Sequence, residues 1–188
     1  MRRTILIAMA AIPICGFRDA AAAESKKVVT VYMLQESVAP TLVVMSAKAQ
    51  ATRMFADIGI SIQWRIGAPH ASLPRTFVII EMGAYTPKDC YPGALAYAKP
   101  YDHNHVKVFY DRISTTVYHD TVPALLAHVL VHEITHILQG FSRHSSVGIM
   151  KPRVMPWKPL AFTQQDIYFI RMGLSAREAQ SHSQQRVR

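Results

Sequence analysis

The chain has 188 residues, half of them hydrophobic and 18% charged, a composition that fits one domain with a proper core and excludes a disordered chain. Its formal charge of +9 would suit an acidic partner. The basic residues are scattered, however, and no nucleic-acid motif accompanies them, so no nucleic-acid partner is expected.

Residues 1–23 read as a secretory signal peptide. Arg2 and Arg3 precede an apolar run from Ile5 to Cys15, and Ala21, Ala22 and Ala23 supply small residues before a cleavage point at Glu24. The run falls short of the roughly 20 residues that span a bilayer, so no membrane span is expected after the signal is removed. Removal takes away three basic residues and one acidic residue and leaves the chain positive. It also takes Cys15, so Cys90 stands alone and no intramolecular disulfide can form. The expectation is an exported, periplasmic or secreted monomer with a catalytic domain over 24–174 and a polar, flexible tail over 175–188.

Lys27 to Leu34 is β-branched and apolar, as a first strand requires. Ser37 can cap a helix with Pro40 in its first turn, where Leu42, Met45, Ala49, Thr52 and Ala56 recur every three to four residues and Gly59 ends the run. Ile60, Ile62, Trp64 and Ile66 alternate with polar residues in a second strand. Phe77 to Ile80 is a continuous apolar run, suited to a central strand. Gly93 to Ala98, between Pro92 and Pro100, suits an edge strand, and Val106, Val108 and Tyr110 alternate in a fifth.

Asp120 or Thr121 can cap the next helix, with Pro123 in its first turn and Gly140 as its stop. On that helix His132, Glu133 and His136 form a His-Glu-x-x-His spacing. Residues four apart share a helix face, so the two imidazoles can meet one metal with the glutamate beside them. A zinc hydrolase needs three protein ligands and an open position for water. His144 is the third candidate: four residues beyond Gly140 span about 13 Å, enough to turn back to the metal. Asp166 and Glu178 are its rivals, although Asp166 also suits the first turn of a last helix over Gln164 to Met172, capped by Thr163. His128 lies one turn before His132 and reads as a packing or supporting residue, since a fourth imidazole would close the site. Met150 follows in Gly-Ile-Met, either as part of a turn under the metal or as an ordinary core methionine.

These residues resemble the metzincin group of zinc peptidases, in which a zinc helix ends at a glycine, a third histidine follows, and a methionine turn lies beneath the metal. The likeness covers nearly the whole mature chain, and is closest to small exported bacterial proteins with His-Glu-x-x-His, glycine, His-Ser and Gly-Ile-Met. It implies an α+β, zincin-like fold: a twisted, mostly parallel sheet of about five strands with an edge strand at the cleft, a backing helix, the zinc helix and a C-terminal helix. It implies a Zn2+ cofactor on His132, His136 and His144, Glu133 as general base, Met150 in the methionine turn, and a peptide or protein substrate. Gly93, Ala94, Leu95 and Ala96 would then line the cleft edge, and Trp157 would wall the pocket unless it is a plain core residue.

Three departures from the metzincin pattern stand out. The glycine comes four residues after the second histidine instead of three, and the third histidine comes eight after it instead of six. Gln139 and Ser142 occupy the expected positions, and Lys151-Pro152 follows the methionine where some metzincins carry a tyrosine. A non-catalytic zinc-binding or peptide-binding protein on the same fold is the alternative reading.

Overall fold

The computed structural model describes residues 27–69, 76–100, 104–153 and 160–185. The expected signal peptide and Trp157 lie outside the described residues.

Five strands form one sheet in the order β2-β1-β3-β5-β4: β1 (Lys27–Leu34), β2 (Ile60–Ile66), β3 (Phe77–Gly83), β4 (Ala96–Lys99) and β5 (His105–Phe109). Every pairing is parallel except β4 with β5. The register sets Val31 beside Val78, Met33 beside Ile80 and Ile80 beside Val106, and all of these side chains are buried. One face of the sheet is thus a continuous β-branched and methionine surface, which is what the alternating apolar positions dictate. The expected α+β, mostly parallel architecture is the one observed. β4 is an edge strand, as β2 is at the other end, although it begins at Ala96; Gly93 and Ala94 belong to the preceding turn, where the Ala94 amide bonds to the Tyr91 carbonyl.

Helix α1 (Thr41–Ala56) packs on β2 and on the long helix α3 (Val122–Gln139). Its buried stripe is Val43, Val44, Ala47, Ala51 and Phe55, while Leu42 is 80% and Met45 61% exposed. The periodicity was right and the face wrong. Two stripes offset by one residue satisfy a 3.6-residue period equally. The helix buries the one that carries Phe55 and lets small Ala47 and Ala51 approach a neighbour. Pro40, not Ser37, stands at the N-cap, because Glu36–Val38 forms its own short 3-10 turn.

Strand β5 stops at Phe109, and Tyr110 starts a short helix α2 (Tyr110–Thr116). Here Asp111 accepts bonds from the Thr86 amide and hydroxyl at 3.0 and 2.8 Å, a tertiary contact that the strand pattern did not anticipate. Helix α3 has Pro123 in its first turn and ends at Gly140, whose φ of 81° lets its amide bond back to the His136 and Ile137 carbonyls. Thr121 stands at its N-cap without a side-chain capping bond. The stretch His119–Gln139 is long and apolar enough to cross a membrane, but 83% of its most apolar 18-residue window is buried inside the protein, as a core helix should be.

The last helix, α4 (Gln164–Gln185), runs well past Met172 through much of the expected tail. Ile170 and Leu174 are buried, Arg177 donates to Asn104 and to the Ile137 carbonyl, and Glu178 pairs with Lys27 at 2.6 Å. The face i, i+4, i+7, i+8 is therefore half apolar and half charged, which disguised it as tail. Gly173 marks the closest approach: a Cβ there would sit 1.9 Å from the Leu138 carbonyl oxygen. Gly173→Ala is accordingly expected to force α4 off α3 and lower stability by at least the ~1–3 kcal/mol of an overpacked core. Urea unfolding of the two proteins measures this, and equal midpoints would contradict the close packing.

Candidate metal centre

Helix α3 is buried over most of its length, so its rotamers are set by packing and not by solvent. On it, His132 and His136 bring their Nε2 atoms to 3.1 Å. The loop after Gly140 returns His144 to the same place. Its ring centroid lies 5.2 Å from that of His132 and 5.0 Å from that of His136, and one nitrogen from each of the three rings falls within 4.8 Å of the others. The longer spacing from Gly140 does bring the third histidine onto the pair. Its two rivals are occupied elsewhere: Glu178 pairs with Lys27, and Asp166 is fully buried against Arg143 and Thr163.

The tautomers suit a metal. His132 Nδ1 lies 2.9 Å from the Ile149 carbonyl, so that nitrogen carries the proton and Nε2 keeps its lone pair. On His136, Nδ1 has no hydrogen-bond partner among the described residues and Nε2 lies against His132 Nε2, so Nε2 can donate to His132 in the metal-free chain and offer its lone pair once the proton moves to Nδ1. At 3.1 Å the two Nε2 atoms can share one proton in the metal-free chain or one cation when a metal is bound. Imidazole nitrogens about 2.0–2.1 Å from a tetrahedral zinc stand roughly 3.3 Å apart, close to the spacing seen. Burial lowers His132 to about 4 and His136 to about 3, and burial with the Arg143 charge lowers His144. All three rings are neutral at neutral pH and need lose no proton to bind a cation.

The chain turns just before Met150. Gly148 has a φ of 72°, the Lys151 amide bonds to its carbonyl, and the Ile149 amide bonds to Ala161. Ile149 and Met150 are both fully buried, and the Ile149 carbonyl is the group that orients His132. His128 acts as a supporting residue, with Nδ1 donating to the Ala124 carbonyl at 2.8 Å and Nε2 accepting the Leu160 amide.

Glu133 is 8% exposed and its carboxyl is pushed up to about 8 by burial, an effect only partly offset by a hydrogen bond from the Ala98 backbone. The glutamate thus faces β4. Ala98 falls within the edge strand expected over Gly93 to Ala98, but its bond to Glu133 was not foreseen, because nothing in a short Ala-Tyr-Ala-Lys stretch fixes where the strand meets the helix. Arg143 was missed for a similar reason, since its partner Asp166 lies 23 residues away.

These groups give the metal-free chain a pH signature. Between about pH 4.5 and 6.5 the unfolded chain protonates His132 and His136, while the folded chain keeps both neutral and holds one proton on Glu133. The unfolded state then binds more protons, so stability rises with pH by about 1.4 kcal/mol per unit per net proton. Between about 6.5 and 8 only the folded Glu133 still holds a proton, and stability falls as pH rises. Chelator-treated protein is expected to be most stable near pH 6.5 in denaturant titrations. A flat profile would show that the three groups are not buried as described.

No family model matches the chain, and no curated protein matches it. Among solved structures, archaemetzincin from Methanopyrus kandleri superposes with a TM-score of 0.56 over 82% of this chain and 99% of that chain, at 11% identity. At that identity the likeness speaks to fold. The chain therefore has a zincin-like α+β fold, with three histidines on and after its long buried helix placed where they could hold a metal ion.

Proposed function

We propose that this chain is a zinc-dependent metallopeptidase in which His132, His136 and His144 hold the metal and Glu133 is the general base. The observation that carries this reading is the convergence of three neutral imidazoles within 4.8 Å, with a buried carboxyl on the adjacent residue turned toward the edge of the sheet. Zinc, when bound, polarises a carbonyl and makes water acidic near neutral pH. Three imidazoles leave a fourth position for water or substrate.

The chain's own residues supply the rest. An ionised Glu133 carboxylate takes a proton from the attacking water and returns it to the departing amide nitrogen. The Ala98 backbone bond holds that carboxylate against β4. As an edge strand, and the one beside Glu133, β4 suits an extended peptide that adds to the sheet by backbone pairing, with the turn at Gly93, Ala94 and Leu95 at one end of the cleft. The apolar N-terminal segment extends the proposal to an exported enzyme.

The test is a metal analysis of purified protein beside cleavage of a peptide library, with chelator and with zinc restored. The expected result is one zinc per chain and cleavage that disappears and returns with the metal. Absence of zinc would overturn the reading. Stoichiometric zinc without cleavage would leave a zinc-binding protein without turnover.

A further inference from the structure

His132 and His136 are fixed by a buried helix, but His144 stands exposed on a stretch, 141 to 147, that has neither helix nor strand. Something else must hold it. The residue before it, Arg143, reaches the start of α4: Nη2 lies 2.6 Å from Asp166 Oδ1, Nη1 lies 3.3 Å from Gln165 Oε1, and the guanidinium stacks 5.0 Å from the Phe169 ring centre. Asp166 is completely buried, and its other oxygen is fixed by the Thr163 amide at 2.9 Å and hydroxyl at 2.7 Å. The residue after the histidine, Ser145, donates its amide to the Met150 carbonyl at 2.9 Å. The chain is thus tied down on both sides of His144.

We propose that Arg143, anchored on Asp166, is a positioning residue that holds His144 at the metal site and so makes the lengthened loop after Gly140 usable. This rests on the metal-site reading above. A planar guanidinium held by a carboxylate, an amide oxygen and an aromatic face has its orientation set in three directions. The backbone of Arg143 follows, and His144 is its neighbour.

Electrostatics and positioning predict opposite signs, which makes the proposal sharp. Arg143 puts a positive charge beside the site, so removing it should tighten zinc binding if charge were all that mattered. If positioning dominates, removal weakens binding. Zinc affinity is to be measured by competition with a chromophoric chelator for the wild type, Arg143→Met, His144→Ala and the double variant, with metal-free melting curves alongside.

Arg143→Met is expected to weaken zinc binding about 10–100-fold, the usual cost of losing a group that orients a ligand. In the His144→Ala background the same change is expected to cost less than about twofold, because a residue that acts only through His144 has nothing left to position. Arg143→Lys, which keeps the charge and loses the fork, is expected to fall between and serves if the methionine variant does not fold. Unchanged or tighter binding in either Arg143 variant would overturn the proposal, as would an equal loss in both backgrounds. A wild type that binds no zinc would remove the metal site itself, a failure distinguishable from that of the clamp.

Discussion

Glu133→Gln is expected to lower peptide hydrolysis by about 10²–10⁴-fold while leaving zinc content and fold intact. The range is what a positioned general base contributes. The amide has the same shape as the acid, and its oxygen can still accept the Ala98 backbone bond that places Glu133 against β4. What it lacks is the ability to take a proton. Stability should not suffer, because burial already holds the metal-free Glu133 neutral below about pH 8 and a neutral amide replaces a neutral acid. Stripped of metal, the variant should be the more stable protein from about pH 4.5 upward, by a margin that grows to about pH 8 and then levels off, since over that range the unfolded wild type ionises while the folded chain must keep the buried carboxyl protonated. Initial rates on a cleaved peptide, zinc content and melting curves separate the outcomes. Activity within tenfold of wild type would remove Glu133 from the base role, and loss of zinc along with activity would make its role structural.

The parts of this site that were legible in the sequence are those whose information is local. Two histidines and a glutamate on one helical turn need only the 3.6-residue period to be placed together, and Gly140 announces its own left-handed turn. The sheet was legible because β-branched residues alternate in β1, β2 and β5 and run together in β3. The errors share the opposite cause. Leu42 and Met45 form as good a stripe as Val44 and Ala47, and only the neighbouring α3 decides between them. Residues beyond Ser175 looked like tail because the groups that hold them, Lys27, Asn104 and the Ile137 carbonyl, lie 40 to 151 residues away. Arg143 looked like one more scattered cation for the same reason. Asp166 was correctly read as belonging to the cap of the last helix, and the bond that gives it a second role was invisible until α4 was placed.

His144→Ala is expected to weaken zinc binding by more than the roughly 10–100-fold that loss of a supporting group costs, and to abolish hydrolysis with it. His132 and His136 alone offer two nitrogens 3.1 Å apart on one side of a cation, and two ligands do not supply the three that a hydrolytic zinc site requires. No other described side chain stands ready to substitute. Asp166 has one oxygen on Arg143 and the other on Thr163, and freeing it would leave Arg143 unpaired and the first turn of α4 uncapped. Because His144 is exposed, its removal should change the metal-free stability by no more than about 0.5 kcal/mol, so the loss of metal will not be a loss of fold. The contrast with Asp166→Asn is decisive. If the aspartate were the true third ligand, zinc would survive His144→Ala and depart in the asparagine variant through lost coordination. With His144 as the ligand, the alanine variant shows the larger loss of zinc affinity, and the asparagine variant, which loses only the charge that anchors Arg143, keeps the metal at an affinity between that of the alanine variant and that of the wild type.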